Sequence, residues 1–355
     1  MHRRQVIRLL GLSLLSGARW GETRSLGGLT GALESDEARI VKASRLMMGN
    51  VTVTMTAVAE DRHGAHRAIS AAFTEMQRLE ALLSFYRPES DLSRLNRAAG
   101  HRAVRVHPDV FDIIQRALEV TRLTDGAFNI ALGHMSKRWD FLGQPSIPTA
   151  MERDQLRALS HSEDIVLDPH RQEIFLRQPG MQLDLGGIGK GFMAQRACAI
   201  LRQAGMQAGI VANAGDLVLF GTRPDGRRWR IGVQHPRHKG QMLAALELTD
   251  CAVSTSGDYE RFFTHAGVMY HHILDANTLL PDRDCQSVTV IGRDATRVDA
   301  LATGIFVLGP SPGLQLLERT RLGEGIIIDS QGRTSISPSL EAKVILYETT
   351  QHAQP

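Results

Sequence analysis

At 355 residues, with 43% hydrophobic and 22% charged side chains, the chain matches one large or two medium globular domains, which excludes collagen-like, coiled-coil and largely disordered classes. Its net charge of +3 is concentrated at the start: residues 1–24 hold five arginines against one glutamate, a sum of +4, leaving the rest at −1 without the basic face that nucleic-acid binding needs. Cys198, Cys251 and Cys285 have neither CxxC nor metal-ligand spacing and read as small buried apolar positions; they allow one disulfide but no disulfide framework.

The chain opens MHRRQVIRLLGLSLLSGARW. Arg3 and Arg4 precede a short apolar run, Leu9 to Leu15. Basic-then-apolar order predicts an export signal over residues 1–24, and the adjacent arginines point to a twin-arginine type. An amphipathic N-terminal arm is the alternative. No run of about 18 apolar residues occurs, so no stable membrane span is expected. Residues 25–42 read as a polar lead-in, 43–349 as one folded body of one or two subdomains, and 350–355 as a tail.

Val51, Val53, Met55 and Ala57 alternate with threonines, which predicts a half-buried strand. Ile69, Ala72, Phe73, Met76, Leu79 and Leu83 then share a helical face. The segment SFYRPESDLSRLNRAAG reads as a loop. A second helix is predicted through Val110, Ile113, Ile114, Ala117, Leu118 and Thr121, stopped by Gly126. Residues 143–150 read as a Pro-containing linker, followed by strand-like DIVLD, EIFLR and MQLDL. After DLGGIGKG a helix is expected to bury Met193, Ala197, Ile200, Leu201 and Ala204. Gly209 to Val290 is mostly strands. A helix resumes at DATRVDALATGIFVLG with Asp294 as N-cap. PGLQLLER reads as a helix, and GEGIIIDS and AKVILYE as strands. Strands in blocks with helices between them predict an α+β fold.

Three constellations carry chemistry. In DLGGIGKG the P-loop pattern fails twice: Asp184 stands where a glycine is required, and Gly191 where Ser or Thr is required. A glycine-rich helix start with Lys190 can still approach an anion through its N–H groups, or it is a tight strand-to-helix corner. Asp299 and Thr303, four apart on a helix, project from one face and suit a hard cation such as Mg²⁺; the alternative is a solvated acid and an inward-packed threonine. Ser254, Thr255 and Ser256 precede Gly257. His271 and His272 fall on opposite strand faces, so one of them reaches a site as general base or both are structural.

The ordered motifs MMGN, LLSFYRPESDLSRLN, TDGAFNIALG, DLGGIGKG, VSTSGDYERFF, YHHILD and DALATGIFVLG span Met47 to Gly309, and with them the chain resembles the FAD:protein FMN transferases, the ApbE family. The resemblance implies a fold of mixed and antiparallel sheets with helices packed between and around them. It implies FAD as substrate, with Mg²⁺-dependent transfer of FMN to a Thr or Ser hydroxyl and release of AMP. The partner is an acceptor redox protein carrying a Ser/Thr flavinylation segment, met in the periplasm or at the outer face of the cytoplasmic membrane. Met48 and Tyr86 are expected to line the flavin, with Ala127, Phe128 and Asn129 as a second wall. Asp184 and Lys190 contact FAD and Ile273 packs near it. Asp299, Thr303 and the Gly187 carbonyl hold the metal, and His272 is the general base. Two other outcomes on the same scaffold are an FAD pyrophosphatase giving FMN and AMP, and a non-catalytic flavin-binding protein. The chain departs from the family pattern at ANAGDL, where Ala214 replaces a glycine, and at DANTLLP, where Ala276 replaces a proline and Leu279 a glycine.

Overall fold

The structure, a computed structural model, describes residues 39–141 and 143–347. The predicted export signal, most of the lead-in and the tail lie outside the described residues. The fold begins with β1 (Ile40–Met47), inside the expected lead-in. Its sequence hides it because, among the described residues, β1 is an edge strand with mostly solvated side chains, bonded only to β2 (Val51–Val58). Helix α1 (Arg62–Leu83) buries every residue of its predicted face.

The segment read as a loop contains α2 (Asp91–Arg97), capped by Ser90, whose side chain accepts from Ser93 N–H, and anchored by buried Leu92 and Leu95. After β3 (Val104–Arg105) comes α3 (Pro108–Leu123), as predicted. Two short helices were not legible: α4 (Gly133–Trp139), which buries Trp139, and α5 (Ala150–Leu156), which buries nothing and rests on a Thr149–Glu152 capping box. Strands β4 (Ile165–Asp168) and β5 (Glu173–Leu176) pair with each other. MQLDL joins no ladder. The buried amide of Asn96 clamps it instead, donating to Leu183 O at 2.9 Å and accepting from Leu183 N–H at 2.8 Å.

Helix α6 (Gly189–Gln203) is followed by β6 (Ala208–Asn213), β7 (Asp216–Phe220), β8 (Trp229–Gln234), β9 (Met242–Leu248), β10 (Cys251–Gly257), β11 (Phe262–His265), β12 (Val268–His271) and β13 (Cys285–Gly292). On α6 the expected face is buried at Met193, Ala197 and Leu201, but Ala204 is the exposed C-cap and Ile200 is half-buried. Helix α7 (Ala295–Leu308) carries Asp294 as N-cap, accepting from Arg297 N–H at 3.2 Å. Then come α8 (Pro310–Thr320), β14 (Glu324–Asp329), β15 (Thr334–Ile336), α9 (Pro338–Glu341) and β16 (Val344–Leu346).

The α+β expectation holds. Eight strands form one antiparallel sheet in the order β1-β2-β6-β7-β10-β13-β14-β15. One face carries α1, α6 and α7 over the main core; the other packs on the small β16-β9-β8 sheet through Trp229, Ile231, Val233 and Leu246. The register fixes where a site can form. Val53 stands opposite Asn213, Asp216 opposite Ser254, and Gly257 opposite Ser287. The β1–β2 turn, the β6–β7 turn, the end of β10 and the start of β13 therefore meet at one end of the sheet. All three cysteines are free; Cys198 and Cys285 are buried as expected and Cys251 is partly exposed.

His134, buried on α4, is pushed down to about 4 by burial. An unfolded histidine titrates near about 6.5. Below that pH the unfolded chain takes up a proton that the folded chain refuses, so this contribution to stability is intact above about 6.5 and is lost as pH falls towards 4. Between pH 7 and pH 5 His134 should cost about 2 kcal/mol. Thermal unfolding at both pH values should show a smaller acid loss for His134→Gln than for the unchanged chain; equal losses would reject the assignment.

Candidate functional site

Helices α6 and α7 meet at this sheet end through a glycine. A Cβ on Gly191 would lie 2.2 Å from Ala295 O and 2.8 Å from Asp299 Cβ. Its absence brings Gly191 N–H within 2.8 Å of Asp299 Oδ2. The first turn of α6 was expected to aim its N–H groups at a ligand; at Gly191 the N–H is occupied by Asp299, a carboxylate stabilised at the positive end of the helix. Gly191→Ala should cost about 1–3 kcal/mol, because backbone rather than a flexible side chain blocks the new methyl. Gly189→Ala is the matched control, since nothing lies within 4 Å of its Cβ position. Equal melting temperatures for the two variants would contradict this packing.

Asp299 is 1% exposed and Asp216 is 2% exposed. Lys190 Nζ bridges them, 2.8 Å from Asp216 Oδ2 and 3.1 Å from Asp299 Oδ1. Only the Asp299 contact has hydrogen-bond geometry; Asp216 Oδ2 is buried and makes none. Asp216 Oδ1 accepts from the Ser254 hydroxyl. Burial first, then Asp216, raises the Asp299 carboxyl, against the pull of Lys190 and Gly191 N–H. Burial alone would lower the Lys190 ammonium, but Asp216 and Asp299 more than offset it, and it is raised. Asn213 Nδ2 donates to Lys190 O at 3.0 Å, so the β6–β7 turn grips both ends of this residue.

Thr303, one turn beyond Asp299 on α7, has its hydroxyl 3.2 Å from Ser256 Oγ on β10. A Cβ on Gly187 would stand 3.2 Å from Thr303 Oγ1 and 3.3 Å from the Phe128 ring. The structure thus brings Gly187, Thr303 and Asp299 together, and all three offer oxygen. Among the described residues no group of three His, Cys, Asp or Glu side chains is placed to hold a metal. A hard cation that takes few carboxylates and keeps water fits this donor set; a zinc-type cluster does not.

The two histidines separate as predicted. His271, 3% exposed, lies 2.6 Å from Asp282 O through Nε2 and accepts from Ile273 N–H through Nδ1, so both nitrogens have structural partners. His272 Nδ1 lies 3.3 Å from Arg261 O. A carbonyl only accepts, so Nδ1 carries the proton and the Nε2 lone pair is free. Burial, then Arg261 and His271, push His272 down to about 3, and Lys190 is among the lesser causes.

The expected flavin residues are placed less uniformly. Met48 sits half-buried in the β1–β2 turn at φ 48°. Tyr86 is exposed and edge-on to Phe85. Its phenol is raised by partial burial and then by the charge of Asp184. Asp184 accepts from Gly186 N–H and from the Ser136 hydroxyl, at 2.8 and 2.7 Å. Phe128 and Ile273 are buried in the main core, supporting the site from beneath. Asn129 donates to Ser160 O and accepts from Ala131 N–H, and Ala127 beside it is half-buried. Sequence reasoning marked the ANAGDL stretch that holds Asn213 and Asp216 as a departure from the family pattern but gave neither residue a role; a further signal was an acid opening an otherwise apolar strand, DLVLF, directly after a turn.

The sequence model described as ApbE family matches residues 48–327. The chain is 33% identical over 312 residues to a Klebsiella pneumoniae protein named FAD:protein FMN transferase, covering 84% of this chain and 95% of that one. It is also 33% identical over 327 residues to a Treponema pallidum protein of the same name, covering 86% and 90%. Among solved structures it superposes on the Thermotoga maritima ApbE protein with TM-score 0.80 at 28% identity, over 86% of this chain and 99% of that one. Apo Pseudomonas stutzeri flavinyl transferase ApbE gives TM-score 0.76 at 27% identity, over 86% and 96%.

Proposed function

The chain belongs to the ApbE family, and on that premise we propose that it is a FAD:protein FMN transferase that moves FMN from FAD to a Thr or Ser hydroxyl of an acceptor flavoprotein and releases AMP. The observation that supports this reading most is the convergence of Asp299, Thr303, Gly187 and Lys190 at one sheet end, with Lys190 among the charges felt by His272. The Asp299 carboxylate, the Thr303 hydroxyl and the Gly187 carbonyl would hold Mg²⁺, which when bound neutralises the diphosphate and the departing AMP.

Lys190 supplies a second positive charge beside the diphosphate. His272 Nε2 takes the proton from the incoming hydroxyl. The hydroxyl oxygen bonds to the FMN phosphorus as that phosphorus parts from the bridging oxygen, which leaves with AMP. Met48 and Tyr86 are assigned to the flavin surface with Ala127 and Asn129 opposite; Phe128 and Ile273 support it from the core, and Asp184 takes a polar edge of FAD.

Incubation with FAD, Mg²⁺ and an acceptor carrying a Ser/Thr flavinylation segment should give covalent in-gel flavin fluorescence and one AMP per acceptor. AMP without labelled acceptor would mean a pyrophosphatase, and neither product a flavin-binding protein. The basic-then-apolar leader supports action outside the cytoplasmic membrane, and among the described residues no helix is long and apolar enough to cross a membrane. A reporter fused after residue 24 that stays in the cytoplasm would reject export.

A further inference from the structure

The Asp299 oxygen that a cation would use is already in contact with Lys190 Nζ, at 3.1 Å. A divalent ion binds a carboxylate oxygen at about 2.0–2.1 Å. An ammonium and a divalent ion sharing one buried oxygen repel strongly, so Lys190 must withdraw for the cation to enter. Asp216 offers the destination. Its Oδ2 lies 2.8 Å from the same ammonium, is buried, and makes no hydrogen bond of its own. The Ser254 hydroxyl fixes the other oxygen, and the Asn213 amide fixes the Lys190 backbone, so a small swing of the Lys190 side chain completes the exchange.

We propose that Asp216 is a positioning residue that takes over the charge of Lys190 when Asp299 receives its cation. Asp216 therefore sets cation affinity without touching the cation. The inference rests on the cation reading of Asp299. It also accounts for two carboxylates being buried around one lysine: one is the ligand and the other holds the lysine when that ligand is engaged.

The test follows Mg²⁺ binding by the ligand-dependent rise in melting temperature, with no substrate present. The unchanged protein should show a saturable rise, and its absence would overturn the cation reading and this inference together. Asp216→Asn should raise the Mg²⁺ midpoint by about tenfold or more, because Lys190 then has only Asp299 as carboxylate partner. Asp216→Asn combined with Lys190→Met should return the midpoint to within about threefold of the unchanged protein. A normal midpoint in Asp216→Asn, or a double variant as weak as the single one, would overturn the inference while leaving the cation reading intact. A crystal structure of the unchanged protein with Mg²⁺ tests the same point even if the variants do not fold. Lys190 Nζ should stay on Asp216 and lie beyond hydrogen-bond distance of Asp299. Lys190 still on Asp299, or Asp216 itself bound to the metal, would refute it.

Discussion

Asp299→Asn should lower FMN transfer at least about 10³-fold, roughly 4 kcal/mol of lost transition-state stabilisation, while the protein remains folded. The fold survives because the substitution strands no charge. The asparagine oxygen still accepts from Gly191 N–H; its NH2 then faces the Lys190 ammonium, donor against donor, so Lys190 moves fully onto Asp216, already 2.8 Å away. What disappears is the one anionic ligand of the oxygen set, which Thr303 and a peptide carbonyl cannot replace. The expected result is a melting temperature within a few degrees of the unchanged protein, no Mg²⁺-dependent stabilisation, and no covalent flavin on the acceptor at matched Mg²⁺. Turnover within about tenfold of normal would remove Asp299 from the metal site.

Much of this was legible where one local period decided the outcome. Six of the residues buried on α1 were readable from spacing alone, and Asp299 and Thr303 were placed on one face of α7 by their separation of four. The failures occurred where a distant partner overrode local pattern. MQLDL looks like a strand, but its backbone is held by the side chain of Asn96 at Leu183 and by single bonds from Gly133 N–H to Gln182 O and from Asp184 N–H to Ile130 O, not by a neighbouring strand. Asp216 looks like an ordinary turn acid until α6 delivers Lys190 to it. Its role depends on the register of three strands, which no window of sequence contains.

The two departures from the family pattern also acquire a physical meaning. Ala214 and Leu279 both adopt left-handed backbone, at φ 56° and 57°, where glycine carries no steric cost. For a residue with a Cβ the conformation costs about 1–2 kcal/mol. Leu279 offsets this by burying its side chain against Met135, Trp139 and Leu274, a gain of about 1.5–3 kcal/mol, and its carbonyl accepts from Trp139 Nε1 at 3.2 Å. The DANTLLP loop is therefore anchored by packing where the family pattern relies on a flexible residue.

His272→Ala should reduce kcat by about 10²–10⁴-fold with little change in the KM for FAD, because the imidazole acts on the acceptor hydroxyl rather than holding the flavin. The pH profile distinguishes a base from a merely structural ring. In the free protein burial, Arg261 and His271 hold His272 near 3, so it is neutral across the working range yet weakly basic. Bound FAD brings a diphosphate of about two negative charges together with the Mg²⁺ that neutralises it, so little net charge is added beside the ring and its pKa in the complex stays low. kcat/KM reports the free enzyme and kcat reports the complex. The acid limbs of kcat/KM and of kcat set by His272 should therefore both lie below about pH 5. The base is active above each limb and is lost as pH falls through it. An acid limb near the ordinary histidine value of about 6.5 in either profile would mean that this buried ring is not the base. Retention of normal kcat in His272→Ala would move the proton acceptor elsewhere, since His271 has both nitrogens committed to the backbone and cannot take its place.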